Sequence, residues 1–523
     1  MARLTDYSSY ADAQRHFTKE RLWELFDGNE HALNIAHECI DRYAGDPRRI
    51  AVRIAHADGT DETLTFRALS EASSRFAHEL RERGVAAGDR VAIMLEPSFA
   101  FYAALFGTIK CGAVAVPLFT AFGPDGVRLR IDDCAPRLLF TNEEKAEELA
   151  GSLTLETVIA DAEFIGALER HPTTFTTATR ADDLAVFQYT SGTTRELPAA
   201  IRHKHRAIVL VMIAGLYGTG IRPGDRFFCP SSPAWGHGLW HGTLAPLALG
   251  LETGVYAGKF DPGRLLRALH EYGTTNLSAA ATHYRMMMLS GAAPKYTYAI
   301  RKLTYTGEAI DSESLDFAQR TFGASIGSIY GTTEVGVCLV CYPGAEDLPI
   351  KPGSLGKAVP GVRVAVQDAA GNPCPPGVIG EIKVLRNDAW FPTKDRGYVD
   401  ADGYFYHAGR ADDVIISAGW TMSATEIEEV MLKHPAVQGA AVIAVPDPVR
   451  GQIAKAFVVS NRPGDEALAA EIQEFVRARL SRHEFPRALV FVDELPKTPA
   501  GKINRKVLRD REAAAAELVS KGN

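Results

Sequence analysis

The strongest constraint on the fold is a series of short, continuously apolar runs that alternate with helical patterns. Val91–Leu95, Ala113–Val116 and Leu138–Phe140 are such runs. Strands that are apolar on both faces are typical of sheets covered on both sides. The stretch Phe99–Lys110 lies between the first two runs and has helical spacing. This order predicts β-sheets sandwiched between helices.

From about residue 410 onward the sequence has a different pattern, which predicts a smaller α+β unit. Its expected elements are helices around Ala424–Leu432 and Leu468–Leu480, and strands at Val437–Val445, Ala454–Val459 and Ala488–Val492. Such a unit has about 110 residues, a usual size for a domain. We therefore predict an α/β chain with a large N-terminal domain over residues 1–411 and a small α+β C-terminal domain over residues 412–523.

Composition narrows the possible functions. The 523 residues carry a formal net charge of −7, with 46% apolar and 23% charged residues, as in ordinary soluble proteins. Nucleic acid is not expected as a partner, because proteins that bind it carry a basic excess. No apolar run reaches the length of a membrane span and the N-terminus lacks a signal core, so we expect a cytoplasmic protein with no membrane partner. The seven cysteines are interpreted as thiols, including Cys338 and Cys341, since an odd number in a large chain does not form a disulfide framework.

A loop rich in hydroxyl groups and glycine follows the apolar run Leu184–Tyr189. Its members are Thr190, Ser191, Gly192, Thr193 and Thr194. Gly192 permits a close backbone approach to a ligand, and the hydroxyl and N–H groups can form a nest for phosphate oxygens. The loop lacks the Gly-Lys-Ser/Thr ending of a Walker sequence. Taken alone, it is also compatible with a simple polar turn.

Five short motifs occur in a fixed order along the chain. They are Thr190–Thr194, Tyr330–Glu334, Thr393–Asp395, Gly409–Asp413 and Pro496–Lys502. This set resembles the adenylate-forming superfamily, which comprises acyl-CoA synthetases, adenylation domains of peptide synthetases and luciferases. The resemblance extends from about Asn34 to Leu508 and is strongest to the short- and medium-chain acyl-CoA synthetases.

The resemblance implies a nucleotide site and assigns its residues. The implied ATP- or AMP-binding residues are Thr190, Ser191, Gly192, Thr193, Thr194, Gly307, Glu308, Ala309, Tyr330, Gly331, Thr332, Asp395 and Arg410. Thr333 is expected to contact the α-phosphate, and Glu334 to hold Mg²⁺, a cation that prefers oxygen ligands. Asp395 is expected to accept hydrogen bonds from the ribose hydroxyls.

The resemblance also implies roles for Lys502 and Asp412 in a catalytic cycle. Lys502 follows Gly501 in a Pro/Gly-rich segment, where a cation can stabilise the charge that develops as a carboxylate attacks the α-phosphate. Asp412 matches a hinge, about which a mobile C-terminal domain rotates between two half-reactions. Lys502, Thr333 and Glu334 are the predicted catalytic residues.

Two positions depart from the family pattern. Ala199 stands where a lysine is expected beside the phosphates, and our hypothesis is that Arg195 or Lys204 supplies the missing cation. Lys394 replaces the usual glycine before Asp395, which bears on the local turn.

The middle of the chain corresponds to the acyl pocket of the family. Trp235, Gly236 and His237 are the predicted pocket residues. His237 either orients a polar group of the acid or satisfies a hydrogen bond in the core. A short or medium, branched, hydroxylated or aromatic acid is expected. The predicted coenzyme A site comprises Ser417, Ala418, Gly419 and Trp420.

The sequence thus predicts an ATP-dependent acid–CoA ligase that uses ATP, Mg²⁺ and coenzyme A, with a homodimer possible. One alternative is a stand-alone adenylating enzyme that loads a separate carrier protein. A second alternative, from another class, is a non-catalytic nucleotide-binding sensor.

Overall fold

The structure is a computed structural model that describes residues 2–189, 200–307, 310–332, 335–410, 414–417, 420–447, 451–480, 485–497 and 503–521. It divides into two units. The first comprises residues 1–331 and 336–361, and the second comprises residues 332–335 and 362–523. The predicted boundary at Asp412 lies outside the described residues and stays a prediction.

The first unit contains fifteen of the described strands and twelve of the described α-helices. Its strands are β1 (Ile50–His56), β2 (Asp61–Thr65), β3 (Arg90–Met94), β4 (Val114–Pro117), β5 (Leu138–Thr141), β6 (Glu156–Ile159), β7 (Leu184–Gln188), β8 (Ile201–Lys204), β9 (Arg226–Cys229), β10 (Glu252–Ala257), β11 (Asn276–Ala280), β12 (Lys302–Thr306), β13 (Ile326–Thr332), β14 (Gly336–Val340) and β15 (Ser354–Ala358). Its helices are α1 (Tyr10–His16), α2 (Ile35–Cys39), α3 (Phe66–Glu82), α4 (Phe99–Lys110), α5 (Pro124–Cys134), α6 (Glu143–Glu148), α7 (Ala162–Ala167), α8 (Ala207–Ile213), α9 (Ala245–Ala248), α10 (Pro262–Glu271), α11 (Ala281–Leu289) and α12 (Ser312–Phe322).

These strands form two sheets. One has the order β15-β14-β13-β12-β11-β9-β10-β1-β2, and the other has the order β6-β5-β3-β4-β7-β8. Neighbouring strands from β13 to β1 in the first order are parallel. In the second sheet all pairs are parallel except the hairpin of β7 and β8. Buried side chains of α10, α11 and α12 pack on the first sheet, and those of α5 pack on the second. The predicted strands β3, β4 and β5 and the helix α4 are confirmed.

The second unit consists of helices and two smaller sheets, whose strand pairs are antiparallel except the parallel pair of β23 and β24. Its elements are β16 (Val364–Gln367), β17 (Gly380–Arg386), β18 (Ala389–Val399), β19 (Phe405–Arg410), β20 (Val414–Ser417), β21 (Trp420–Ser423), α13 (Ala424–Met431), β22 (Val437–Asp447), β23 (Gly451–Ser460), α14 (Glu466–Arg479), β24 (Ala488–Phe491) and α15 (Arg505–Lys521). One sheet has the order β16-β17-β18-β19, and the other has β21-β20-β23-β22 with β24 beside β23. The α+β prediction for the C-terminal part is therefore confirmed.

Local sequence signals account for several helix ends. Ser98 caps α4 through a hydrogen bond from the N–H of Phe101, and Asp465 caps α14 in the same way. Such caps satisfy N–H groups that have no partner within the helix. Among the residues that the structure describes, every helix is too short or too polar to cross a membrane.

Candidate active site

Four neighbouring parallel strands, β9, β11, β12 and β13, end at one edge of the first sheet. Their last residues are Cys229, Ala280, Thr306 and Thr332. The segments that follow β9 and β12, and the end of β13, therefore lie along the same edge, and these segments contain Trp235, Gly307 and Tyr330. The carboxyl ends of strands are the usual binding edge of parallel sheets.

Two glycines shape the predicted nucleotide segments at this edge. Gly307 has φ +96°, a conformation that favours glycine. A Cβ atom on Gly331 would lie 2.2 Å from the carbonyl oxygen of Gly336, so a side chain does not fit there. The Thr332 hydroxyl is buried and has no hydrogen-bond partner among the described residues. Glu308, Ala309, Thr333 and Glu334 lie outside the described residues, and their roles stay predictions.

The structure brings together the two residues predicted to hold the ribose. Asp395 on β18 stands opposite Arg410 on β19 in the antiparallel register, beside a bulge. The Thr393 hydroxyl donates to the carbonyl of Ile382 at 2.7 Å and accepts from the N–H of Asp395 at 3.2 Å. Asp395 is 6% exposed, and its Oδ1 lies 3.6 Å from Nε2 of His407. The local backbone thus holds this carboxylate in a fixed place.

Lys394 adopts the backbone conformation that the glycine of the family pattern would favour, since its φ is +64°. A left-handed conformation costs about 1–2 kcal/mol for a residue with a side chain, while glycine loses about 0.4–1 kcal/mol through the entropy of the unfolded chain. We therefore expect Lys394→Gly to raise the free energy of unfolding by up to about 1 kcal/mol, measured by denaturant titration. Lys394→Ala keeps the strain and serves as the control. A loss of stability in the glycine variant larger than in the alanine variant would contradict this reading.

Asp133 on α5 connects the two ends of the predicted phosphate loop. Its Oδ2 accepts a hydrogen bond from the Tyr189 hydroxyl at 2.7 Å and one from the N–H of Ala200 at 3.2 Å. Burial, with the neighbouring Asp133 carboxylate, raises the pKa of Tyr189 above its usual range, so the hydroxyl keeps its proton. Residues 190–199 lie outside the described residues. Sequence reasoning missed Asp133, because it belongs to none of the five motifs.

Lys204, one of the two candidates for the substitute phosphate cation, lies away from the residue that leads into the loop. Lys204 pairs with Leu184 at the end of the β7–β8 hairpin opposite to Gln188, the residue that leads into the loop. Its Nζ lies 3.0 Å from Oδ1 of Asp182. Arg195 is outside the described residues, so its role stays a prediction.

His237, a predicted pocket residue, is buried within a chain of hydrogen-bonded polar side chains. Its Nδ1 lies 3.0 Å from the Ser231 hydroxyl, and its Nε2 lies 2.8 Å from the Ser278 hydroxyl. The Thr304 hydroxyl in turn donates to Ser278 at 2.8 Å. Burial, then the neighbouring His241, lowers the pKa of His237 well below its usual value. Both ring nitrogens are therefore occupied, and the core hydrogen-bond interpretation is the one that the structure supports.

Trp235 precedes His237 in the chain, and Trp240 follows it. The ring of Trp235 is 5.5 Å from the His237 ring in an edge-to-face arrangement. The indole N–H of Trp240 donates to Oε1 of Gln188 at 3.0 Å. Both contacts belong to the π-helical segment His237–Leu244 and the turn before it. The two tryptophans are thus held in place by specific partners.

A pH dependence follows from the buried histidines in this region. Burial lowers the pKa of His203, His205, His241 and His283 to about 4, below about 6.5 for an unfolded chain. The unfolded state then binds more protons between these values, so stability is full above pH 6.5 and falls as the pH drops toward 4. We expect the melting temperature to decrease over this interval, measured by scanning calorimetry. His241→Phe should reduce the slope, whereas an unchanged slope would refute the assignment.

Within the predicted coenzyme A site, the structure describes the side chain of Ser417. Its hydroxyl is buried and finds no partner in the described part of the chain. The residue stands opposite Trp420 on β21 and Gly451 on β23. Ala418 and Gly419 lie outside the described residues, as does Asp412.

Lys502 lies outside the described residues, but the structure shows how the loop that carries it is anchored. Lys497 and Ile503 form an isolated β-bridge, and the N–H of Asn504 donates to the carbonyl of Pro496 at 2.7 Å. Arg505 donates from Nε to Oε1 of the buried Glu428 at 3.0 Å. Sequence reasoning missed the pair of Arg505 and Glu428, because the partners lie 77 positions apart.

Comparisons with known proteins agree with this geometry. The sequence matches the AMP-binding enzyme family over residues 41–388 and the AMP-binding enzyme C-terminal domain over residues 426–502. Acetyl-coenzyme A synthetase of Bacillus subtilis is 32% identical, over 96% of this chain and 94% of that protein. 4-Hydroxybutyrate–CoA ligase 1 of Metallosphaera sedula is also 32% identical, over 87% of this chain and 86% of that protein. The crystal structure of an anthranilate CoA ligase in complex with anthranoyl-AMP has a TM-score of 0.82 at 26% identity, over 96% of this chain and all of that one.

The chain belongs to the AMP-binding enzyme family. Within that family it is an acyl-CoA synthetase of the AMP-forming class, which joins a carboxylic acid to coenzyme A with the use of ATP. The recognition of the adenylate-forming superfamily from five motifs is confirmed.

Proposed function

We propose that this acid–CoA ligase acts on a short or medium, branched, hydroxylated or aromatic acid in two steps at one site. The observation that carries the proposal is the common edge of β9, β11, β12 and β13, where the segment of Trp235 adjoins those of Gly307 and Tyr330. Such an edge can hold an acyl group next to a nucleotide.

In the first step the carboxylate oxygen attacks the α-phosphorus of ATP, the bond to the bridging oxygen breaks, and pyrophosphate leaves. The hydroxyl loop Thr190–Thr194 would contact the β- and γ-phosphates, and Arg195 would supply a cation there. Asp395 and Arg410 would hold the ribose, because they stand opposite each other on β18 and β19. Lys502 would stabilise the charge that develops between carboxylate and phosphate.

In the second step the thiolate sulfur of coenzyme A attacks the carbonyl carbon of the acyl-adenylate. The bond to the phosphate oxygen breaks, and AMP leaves. Ser417 would contact the pantetheine arm, as its buried hydroxyl lacks a partner among the described residues. Gly419 would leave room for the arm, and Asp412 would be the hinge between the two steps.

The resemblance also implies Mg²⁺, and the donor atoms of this chain fit it. The carboxylate of Glu334 and the buried hydroxyl of Thr332, which has no partner in the described part of the structure, are oxygen ligands of the kind that this hard cation takes. When bound, the ion would neutralise phosphate charge.

The proposal of a short or medium, branched, hydroxylated or aromatic acid rests on the segment that contains Trp235 and Trp240. Two tryptophans with fixed partners favour a shaped, partly apolar pocket over a long tunnel. Relatives named for acetate, 4-hydroxybutyrate and anthranilate activation point the same way. We further propose a cytoplasmic enzyme, with a homodimer as a possible assembly and neither nucleic acid nor membrane as a partner.

The test is a panel of short, branched, hydroxylated and aromatic acids with ATP and coenzyme A. We expect pyrophosphate exchange with at least one acid, and release of AMP that requires coenzyme A and yields the acyl thioester. Exchange with any acid excludes the sensor alternative. Thioester formation on an acyl carrier protein but not on coenzyme A would support the carrier-loading alternative, and activity with long-chain fatty acids alone would refute the proposed acid class.

A further inference from the structure

Gln188 ends β7 immediately before the phosphate loop, and its side chain turns toward the predicted acyl segment. The side-chain oxygen accepts the indole N–H of Trp240 at 3.0 Å. A Cβ atom on Gly236 would lie 3.4 Å from the same oxygen, so the amide lies against the Trp235–His237 turn. The side-chain oxygen of Gln188 therefore already has a hydrogen-bond partner within the protein.

The side-chain nitrogen of Gln188 has no such partner among the described residues. Gln188 is 4% exposed, and its buried Nε2 has no hydrogen-bond partner among the described residues. An unpaired buried donor is destabilising, and native proteins keep such groups where a ligand or a water pairs with them. Because Trp240 fixes the oxygen, the amide cannot flip without losing that bond.

His241, next to Trp240 in the π-helical segment, offers a second unpaired atom. Its Nδ1 is buried and lacks a partner in the described part of the chain. The His241 ring packs edge-to-face on His237 at 5.7 Å between ring centres. His237 itself has no free nitrogen, since Ser231 and Ser278 occupy both. Of the described residues Gln188, His237, Trp240 and His241, the two that keep a buried polar atom without a partner are thus Gln188 and His241.

The cluster is polar but uncharged near neutral pH. The ring of His203 lies 4.7 Å from Trp240, and burial keeps both His203 and His241 neutral. The described side-chain contacts of Gln188, Trp240 and His241 are with uncharged groups, namely an amide, aromatic rings and a glycine. A second carboxylate on the acid would be buried here with no cation among these described contacts, which is strongly unfavourable. A neutral oxygen substituent has no such cost.

We propose that Gln188 and His241 are specificity-determining residues that hydrogen-bond an uncharged hydroxyl or keto oxygen on the acyl group. The preferred acids are then hydroxy or oxo acids rather than apolar acids or dicarboxylic acids. This inference rests on the proposed function and narrows its acid class.

The test compares acids that differ only in the oxygen substituent, such as 4-hydroxybutyrate with pentanoate and 2-hydroxybenzoate with 2-methylbenzoate. The measured quantity is kcat/KM in ATP–pyrophosphate exchange. We expect the protein to prefer the hydroxy acid of at least one pair by about tenfold or more, because a site built for a hydrogen bond rejects the analogue that lacks it. In Gln188→Met and His241→Phe this ratio should fall about tenfold.

His270→Phe is the matched control, because the Nδ1 of this exposed histidine already contacts the carbonyl of Thr297 at 2.7 Å; its ratio should not change. Preference for the methyl analogue in every pair, or a ratio unchanged in both folded variants, overturns the inference. If neither variant folds, the inference is judged by whether the unmodified protein prefers the hydroxy acid over its methyl analogue. Apolar acids turned over to acyl-CoA without preference for oxygen refute this inference and leave the proposed function intact, whereas no exchange with any acid refutes both.

Discussion

Lys502→Ala should reduce acyl-adenylate formation by at least about 10²-fold, the loss typical of removing one group that stabilises charge in a transition state. The physical reason is that the carboxylate and the α-phosphate are both negative, and the cation compensates charge that accumulates between them. ATP–pyrophosphate exchange measures this step by itself. The rate of thioester formation from a chemically prepared acyl-adenylate should change by no more than a few-fold. In that step no charge develops between a carboxylate and the α-phosphate.

The matched control is Lys506→Ala. Lys506 lies near the N-terminus of α15 and is exposed, so its loss should leave both half-reactions unchanged. If adenylation survives in Lys502→Ala while only thioester formation falls, the assignment of Lys502 is wrong.

The second large effect is expected for Arg505→Ala, on stability. Glu428 is 6% exposed, and its Oε1 accepts both the N–H of Val442 at 2.6 Å and the Nε of Arg505 at 3.0 Å. Without Arg505 the buried carboxylate would lose this ion-pair partner. Removing one partner of a buried ion pair costs about 3–5 kcal/mol. We expect a loss of this size in the unfolding of the C-terminal unit, followed by denaturant titration.

The exposed pair of Arg477 and Glu474, with N and O atoms 3.4 Å apart, provides the comparison. Arg477→Ala should change stability by less than about 1 kcal/mol, as is usual for surface pairs. In Arg505→Ala the exchange reaction should also weaken, because the pair anchors the segment that follows Lys502. An Arg505→Ala protein as stable as Arg477→Ala would show that the pair carries no buried charge.

Local patterns in the sequence predicted those parts of the fold that depend on local chemistry. Helix α4 was expected at Phe99–Lys110 and has those bounds. The strand expected at Leu138–Phe140 is β5, one residue longer. Apolar runs reveal strands because burial acts on each residue separately, and helical spacing reveals one buried face. The order of the strands within each sheet involves contacts between distant residues and did not follow from any local pattern.

In the candidate site, too, the residues of contiguous motifs could be predicted and their distant neighbours could not. Short motifs are contiguous, so their resemblance to the family named Asp395 and Arg410 and implied that the two lie together. The neighbours that hold the site in place are dispersed in sequence. Asp133 on α5 contacts Tyr189, which lies 56 positions later in the chain, and Glu428 contacts Arg505 across 77 positions. No spacing rule indicates such pairs.

The sequence by itself determined the family, the use of ATP and coenzyme A, and the α/β class, because ordered motifs and apolar periodicity are local properties of the chain. The tertiary structure decided which polar atoms are occupied. It showed that both nitrogens of His237 are bound in the core, while Gln188 and His241 each retain a buried atom without a partner among the described residues. Whether a buried polar atom is paired depends on what the fold brings within about 3 Å of it, and that distance is set by packing between segments remote in sequence.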